Sequence, residues 1–374
     1  MLIEMRIVFR TDASIQIGTG HVMRCLTLAE ALKARGVKCS FVCRPHVGHL
    51  LELIGQHGHE VIALPTLQNA SEHNNKSTSH LDWLGIDWMT DAIEVKQALH
   101  FKMGNKPVDW LILDHYALSS GWEQEMSTFA ARTMVIDDLA DRSHRCDILL
   151  DQNLGRTAQD YNGLLSSDTL NLIGPQYAML RPEFAENRQQ SLQRRADSPH
   201  LKHLLISMGG VDTTNATGKV LEALKRCALP SDFRITVVMG KHSPWLEQVV
   251  ATTKSMPKPT EVMVGISNMA KIMADSDLSI GAAGGMAWER CCIGLPSIVM
   301  VLAKNQFPGA MALQNVGAAI VIQTINQLID LLNQWQLQRS TSAILLKLSQ
   351  EAAAVTDGNG CARVAEHLLA RTHA

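Results

Sequence analysis

Short apolar runs recur along the chain, most followed by a stretch whose apolar residues return at helical spacing. In the first half, "MRIVF", "VKCSFVC", "EVIAL", "DWLILD", "TMVID" and "CDILLD" are predicted strands. They are rich in Val and Ile and often apolar on both faces, as a parallel sheet covered on two sides requires. After His21, apolar residues at Val22, Cys25, Leu26, Ala29 and Leu32 predict a helix, with Gly36 just past its end. The second half repeats the scheme with "HLLISMGG", "RITVVMG", "EVMVG", "DLSIG", "PSIVMVL" and "AAIVI". Between the halves, "RPEFAENRQQSLQRRADSPHLK" is polar and lacks strand character, and the domain boundary is placed there.

The predicted fold is α/β: two Rossmann-like domains whose parallel sheets face a central cleft. The expected boundaries are 1–184 and 200–337, followed by C-terminal helices over 338–374 in which "VTDGNGCARV" is a turn. Open parallel sheets bind ligands beyond the carboxyl ends of their strands. Asp12, Asp114, Asp137 and Asp138 fall at such ends in the first half, and Gly209, Gly210, Gly284 and Gly285 in the second.

Composition narrows the partners. A length of 374 residues suits two ordinary domains, and 46% apolar with 19% charged residues describes a folded chain. A formal net charge of -2 without a basic tract argues against nucleic acid. No signal core or uncharged spanning stretch is apparent, and the eight cysteines include no CxxC pair. A cytoplasmic protein with reduced thiols and no stable membrane association is therefore expected. Oligomeric state is not legible.

"GTGHVM" starts like a dinucleotide fingerprint, with Gly18 and Gly20, but Met23 stands at the third glycine. The second strand ends in Arg44 instead of an acid, and no P-loop is present. What remains is a glycine loop that admits substrate to the backbone, with His21 at a helix start. The positive helix end favours the neutral imidazole that a general base must be. A satisfied capping histidine is the bland alternative. His46, His49, His57, His59, His73, His80, His100 and His144 lack such a setting and are expected at the surface or in loops. No His, Cys and Asp spacing suggests a metal, and no cofactor is expected. In the second half, "LLISMGGVDTTNATGKVLEAL" predicts a helix opened by Asp212 or Thr213, and "LSIGAAGGMAWERCCIGLPSIV" a short helix carrying Glu289. Free N–H groups at either helix start suit a diphosphate, and a carboxylate about a turn further on can accept ribose hydroxyls. Generic glycine turns are the alternative.

Taken in order, "RTDASIQIGTGHVMRCLTLAEALKARG", "LILDHYAL", "VIDDLADRSHRCDILLDQN", "GPQYAMLRPEF", "LISMGGVDTTN", "GAAGGMAWERCCIGLPSIVM", "NQFPGAMAL" and "VTDGNGCARV" resemble the UDP-2,4-diacetamido-2,4,6-trideoxy-β-L-altropyranose hydrolases of pseudaminic acid synthesis. That family is related to the two-Rossmann-domain (GT-B) glycosyltransferases. The resemblance implies metal-independent attack of water at the anomeric carbon of a UDP-sugar, with His21 as base and Glu289 on the uridine ribose. It implies further that Ala283, Gly284, Gly285 and Met286 embrace the diphosphate, and that Asn305 and Gln306, after Lys304, meet substrate. Arg10, Asp12, Gly18, Gly20, Asp114, Tyr116, Gly209 and Gly210 complete the expected substrate-binding set. Trp83, Asp87 and Asp91 resemble a sugar-side loop. His115, Met286 and Ala287 depart from the family pattern, in which small or hydroxyl residues are usual. A GT-B glycosyltransferase and a non-catalytic UDP-sugar-binding protein are the competing functions.

Overall fold

The computed structural model describes residues 5–66, 80–104, 106–241, 243–338 and 340–372. They form two compact units, one of Met1–Met179 with Cys361–Ala374 and one of Leu180–Gly360. His73 and the start of the expected sugar-side loop lie outside the described residues.

Unit 1 contains β1 (Arg6–Thr11), α1 (Gly20–Lys33), β2 (Lys38–Cys43), α2 (Leu51–Gln56), β3 (Glu60–Ala63), α3 (Trp88–Met103), β4 (Val108–Asp114), α4 (Ser120–Met126), β5 (Ala130–Ile136), β6 (Ile148–Asp151) and β7 (Leu170–Ile173). Its strand order is β3-β2-β1-β4-β5-β6-β7, with every pair parallel. Alternate residues of β1 face opposite layers, as strand geometry dictates. Ile7 and Phe9 join Val22 and Leu28 of α1, whereas Val8 joins Val95 and Leu99 of α3 and Trp122 of α4.

Unit 2 contains α5 (Pro182–Asp197), β8 (His203–Ser207), α6 (Ala216–Leu224), β9 (Arg234–Met239), α7 (Leu246–Thr253), β10 (Thr260–Val264), α8 (Met269–Asp275), β11 (Leu278–Ala282), α9 (Met286–Ile293), β12 (Ser297–Met300), α10 (Phe307–Asn315), β13 (Ile320–Ile322), α11 (Ile325–Leu337) and α12 (Thr341–Val355). The strand order is β10-β9-β8-β11-β12-β13, again wholly parallel. In both sheets the direction of winding reverses beside the first strand, between β1 and β4 and between β8 and β11. This is the crevice where such folds take ligands.

The segment 338–374 does not act as one block. Helix α12 packs on α5 and α9 of unit 2, while α13 (Gly360–Thr372) returns to unit 1. Cys361, Val364, Ala365 and Leu368 lie on one face of α13 and are buried on the same layer as Phe9. Trp110 Nε1 donates to Thr372 Oγ1 at 2.8 Å. The polar stretch read as a boundary is α5, whose Arg188 side chain donates to the carbonyls of Cys292, Ala353 and Thr356 within unit 2.

Candidate functional site

Thr11 of β1 pairs in register with Asp114 of β4, so the loops leaving both strands start side by side. Ser14 organises the glycine loop. Its Oγ accepts from the N–H groups of Gln16 and Ile17, and its carbonyl from Gly18 N–H. Gly18 has φ +82°, which a glycine adopts without strain. Open space surrounds the Cα of Gly18 and of Gly20.

His21 then enters on the first turn of α1 and points at β4, not back at its own helix start. Its Nδ1 lies 2.6 Å from Asp114 Oδ1. The carboxylate also accepts from Arg24 through Nε at 2.6 Å and Nη2 at 2.7 Å, and from Cys25 Sγ at 3.4 Å. Burial alone would raise the Asp114 pKa, but Arg24 and His21 hold it well below the usual carboxylate range. Asp114 is therefore an anion that can only accept. The Nδ1 of a neutral His21 must carry the proton, which leaves its Nε2 lone pair available.

Arg24 also reaches Asp138 Oδ2 at 2.9 Å, and the Tyr116 hydroxyl donates to the other Asp138 oxygen. Burial, with Asp138 adding to it, pushes the Tyr116 phenol well above its ordinary value, so the hydroxyl keeps its proton. The Tyr116 ring meets His21 edge-on at 4.5 Å and stacks on Trp83 at 5.6 Å. His80 packs against both Trp83 and Tyr116. The result is an aromatic wall beside the imidazole.

Several expected contacts lie beneath this surface. Arg10 and Asp12 are fully buried and pair with each other at 2.7 Å. Arg10 also grips both oxygens of Asp91. Arg44 joins Asp91 to Glu94, and Trp122 Nε1 donates to Asp91 Oδ2 at 3.0 Å. Asp91 therefore belongs to an internal charge network, and Asp87 caps α3 by accepting from Thr90 N–H. Arg10 and Asp12 support the strand ends instead of presenting a surface to substrate. His115 is buried too. Its Nδ1 accepts from Ala117 N–H at 3.2 Å and its Nε2 lies 3.4 Å from Asp12 Oδ2. His59 and His144 lie in loops, as expected, but are buried there, His59 on Glu30 and His144 on Glu123. His80 belongs to the aromatic wall.

In unit 2 the two glycine-rich strand exits differ. Beyond β8, Gly209 has φ +97°, and the carbonyl of Gly210 approaches Gly240 so closely that a side chain at 240 would collide with it. The chain turns back, and α6 opens at Ala216. Asp212 accepts from Ala216 N–H at 2.8 Å and Thr217 N–H at 2.9 Å, while Asn215 accepts from Gly218 N–H. The first-turn donors expected to be free at this helix are already taken.

The exit of β11 has the opposite character. Ala283, Gly284 and Gly285 lead into α9, which has no side-chain cap, and Gly284 and Gly285 are exposed with open space around them. Met286 fills the opening position of α9, and its sulfur accepts from Ser207 Oγ at 3.6 Å. Uncapped backbone at a helix start with no side chains in the way is an anion-binding arrangement. Glu289 follows in the first turn, half-buried. Burial pushes its carboxyl up to about 7, against the pull of Arg181 and Arg290. Beyond β12, Asn305 is exposed and Gln306 accepts from Leu302 N–H through its side chain at 3.1 Å.

Sequence reasoning leaves Arg24 out of the site and gives Asp138, though placed at a strand end, no role in it. Arg24 stands one helical turn after His21 and Asp138 directly after Asp137 at the same strand end, a spacing that could have flagged both. Among the described residues no group of three or more His, Cys, Asp or Glu could hold a metal ion. Among them too, no helix is long and apolar enough to cross a membrane.

Comparison with known proteins bears out the resemblance read from the sequence. Residues 205–366 match the glycosyltransferase family 28 C-terminal domain. The UDP-2,4-diacetamido-2,4,6-trideoxy-β-L-altropyranose hydrolase of Campylobacter jejuni is 25% identical over 302 residues, which cover 81% of this chain and 93% of that protein. The uncharacterized protein MJ1062 of Methanocaldococcus jannaschii is 26% identical over 306 residues, 81% of this chain. The match spans just over half, 56%, of that archaeal relative. Among solved structures, MurG of Acinetobacter baumannii superposes with a TM-score of 0.68 at 15% identity, covering 98% of this chain and 99% of that one. The chain has the two-domain α/β fold of the GT-B glycosyltransferases.

Proposed function

We propose that the protein hydrolyses UDP-2,4-diacetamido-2,4,6-trideoxy-β-L-altropyranose to the free sugar and UDP, in the cytoplasmic synthesis of pseudaminic acid. The observation that carries the chemistry is the His21–Asp114 contact of 2.6 Å, with Arg24 keeping the carboxylate ionised. Water loses a proton to His21 Nε2 as its oxygen bonds to C1 on the face opposite UDP. The C1–O bond breaks, its electron pair leaves with UDP, and the anomeric centre inverts. A positioned base of this kind contributes about 100- to 10,000-fold.

Unit 2 takes the nucleotide. The backbone from Ala283 to Met286 meets the diphosphate, Glu289 accepts ribose hydroxyls, and Gly209, Gly210, Asn305 and Gln306 complete the surroundings. Donors aimed at the diphosphate stabilise the charge that develops on it as it leaves. Unit 1 supplies the base, with Gly18 and Gly20 admitting substrate to the backbone and Trp83 with Tyr116 forming the wall beside it. The reading needs no cofactor and no nucleic-acid partner. The name of the Campylobacter relative supports it.

A second reading, transfer of the sugar to an acceptor hydroxyl, is favoured by the family 28 domain match. The two part in one assay. Purified protein is incubated with the UDP-sugar and no acceptor, in ¹⁸O-labelled water, and products are followed by mass spectrometry and NMR. Free sugar with UDP released unlabelled supports the hydrolase. No turnover until an acceptor is added supports the transferase. Label in the terminal phosphate of UDP refutes attack at C1.

A further inference from the structure

Arg290 of α9 lies directly under the exit of β11 and is 2% exposed. Its Nη2 donates to the carbonyl of Ala282 at 2.7 Å, while Nε and Nη1 are buried without a hydrogen-bond partner. Among the described residues no carboxylate forms an ion pair with it, and burial lowers its pKa. Two other arginines of unit 2 spend their donors differently, half-buried Arg188 and buried Arg195, whose Nε alone lacks a partner. Arg195 donates to the carbonyls of Ser191, Met273, Ala274 and Ser276, and Arg188 to three carbonyls. Those two tie helices together, whereas Arg290 holds one carbonyl and keeps most of its donors unspent.

The neighbouring sequence makes room for this arrangement. A Cβ on Gly281 would stand 2.6 Å from Arg290 Nη1 and 2.8 Å from the carbonyl of Ser207. The strand therefore carries glycine where the guanidinium needs space. A buried charge without a partner is costly, and one that persists points to a partner that arrives later. The carbonyl that Arg290 does hold belongs to Ala282, the residue leading into the uncapped Ala283–Gly285 loop.

We infer that Arg290 is the buried counter-charge for a diphosphate bound on the Ala283–Met286 loop, acting through the protein interior without touching the ligand. It is a positioning and electrostatic residue. The inference rests on the reading that the β11–α9 exit takes UDP. A fixed cation close beneath the loop strengthens with the negative charge of the ligand and is little screened by salt. A neutral nucleoside gains nothing from it.

Calorimetry of wild type, Arg290→Met and Arg290→Lys with UDP, UMP and uridine at low and high salt tests this. Arg290→Met should weaken UDP about tenfold or more, UMP less and uridine hardly at all, with the loss persisting at high salt. Arg290→Lys, which keeps the charge, should retain most UDP affinity. Removing a buried unpaired charge should also leave the ligand-free protein as thermally stable as wild type, or more so. Equal UDP affinity in wild type and Arg290→Met overturns the inference, as does an equal loss for UDP and uridine. If Arg290→Met does not fold, a loss of UDP affinity in folded Arg290→Lys with uridine binding unchanged overturns the claim that charge is what matters. A wild type that binds UDP and shows this pattern but never hydrolyses the sugar nucleotide leaves Arg290 in its role and refutes the hydrolase reading alone.

Discussion

Replacing Asp114 with asparagine should disable His21 without removing it. One Asp114 oxygen faces His21 Nδ1 at 2.6 Å and Arg24 Nη2 at 2.7 Å, and the other faces Arg24 Nε at 2.6 Å. The Asp114→Asn variant has one amide oxygen where Arg24 and His21 together use two; with that oxygen on Arg24 Nε, the new NH₂ group faces His21 Nδ1 as well as Arg24 Nη2. The imidazole then has to accept at Nδ1 and carry its proton on Nε2, where the base should have a lone pair. Loss of a general base costs about 100- to 10,000-fold in kcat, or about 3–5 kcal/mol of transition-state stabilisation. Arg24 retains Asp138 at 2.9 Å, so the fold keeps part of its charge balance. Breaking a buried ion pair nonetheless costs up to about 3–5 kcal/mol of stability, and thermal unfolding must accompany the kinetics.

The assay is UDP release at saturating sugar nucleotide, with UDP affinity measured separately. Asp114→Asn should lose turnover while binding UDP as wild type does, because the proposed nucleotide residues are in unit 2. Combined with His21→Asn it should do little further harm, since residues that act as one unit do not add. A folded Asp114→Asn protein with kcat within about threefold of wild type would refute the argument. So would two single losses that multiply in the double variant.

Glu289 titrates at about 7 because burial raises it from an ordinary 4.5. UDP affinity should therefore rise with pH through that region as the carboxylate forms, and Glu289→Gln should lack this increment relative to wild type. The sign for stability is opposite: the folded state holds a proton that the unfolded chain has released. The contribution is full below pH 4.5 and is lost as pH rises through about 7, which pH-dependent thermal melts of the two proteins would reveal. Asp212→Ala removes the acceptor for two first-turn donors of α6 and should cost about 1 kcal/mol, read from denaturant unfolding. Hydrolysis should survive exhaustive chelation with EDTA, since the described residues assemble no ligand group. Loss of turnover restored by one added cation would contradict that.

What could be read in the sequence was what local pattern controls. The strands buried on both faces are continuous apolar runs, and all appear where expected except β7, an edge strand of four residues with Asn171 inside it. Helix α5 reads as a linker because its buried side is small, with Phe184, Ser191 and Arg195 spread over 16 residues. The return of α13 to unit 1 depends on which surface its apolar face covers, which spacing along the chain does not encode. The site divides the same way. His21 stands out because a glycine loop and a helix start are local features. Its orienting carboxylate is 93 positions away, and Asp138 is 114 positions from Arg24, so only folding joins them. Arg10 and Asp12 look like ligand contacts at a strand end, yet Asp91 and Arg44, brought in by α3 and the end of β2, bury them. The left-handed turn at Asp212, φ +47°, likewise sends its carboxylate back onto the helix that was expected to be free.

The two units share a strand order over six strands, to which unit 1 adds β7, and place their crevices at the same switch point, but they furnish them in opposite ways. In unit 1 the crevice between β1 and β4 is lined by side chains that spend their charges on one another. Asp114 serves His21 and Arg24, Arg24 serves Asp138, and Asp138 holds Tyr116. Such a network fixes the direction of one imidazole lone pair, and losing a single member disturbs the rest. In unit 2 the crevice between β8 and β11 is nearly bare on the β11 side: an alanine, two glycines and an uncapped helix start, with a cation buried underneath. Backbone donors cannot be reoriented or titrated, which suits a group that must accept charge as a bond breaks without itself taking a proton. A base has to titrate and a leaving-group cradle must not. On the hydrolase reading proposed above, the same fold meets both demands by filling one crevice with side chains and clearing them from the other. It follows that substitutions in the first should act on turnover and its pH dependence, and substitutions around Gly284 and Gly285 on nucleotide affinity.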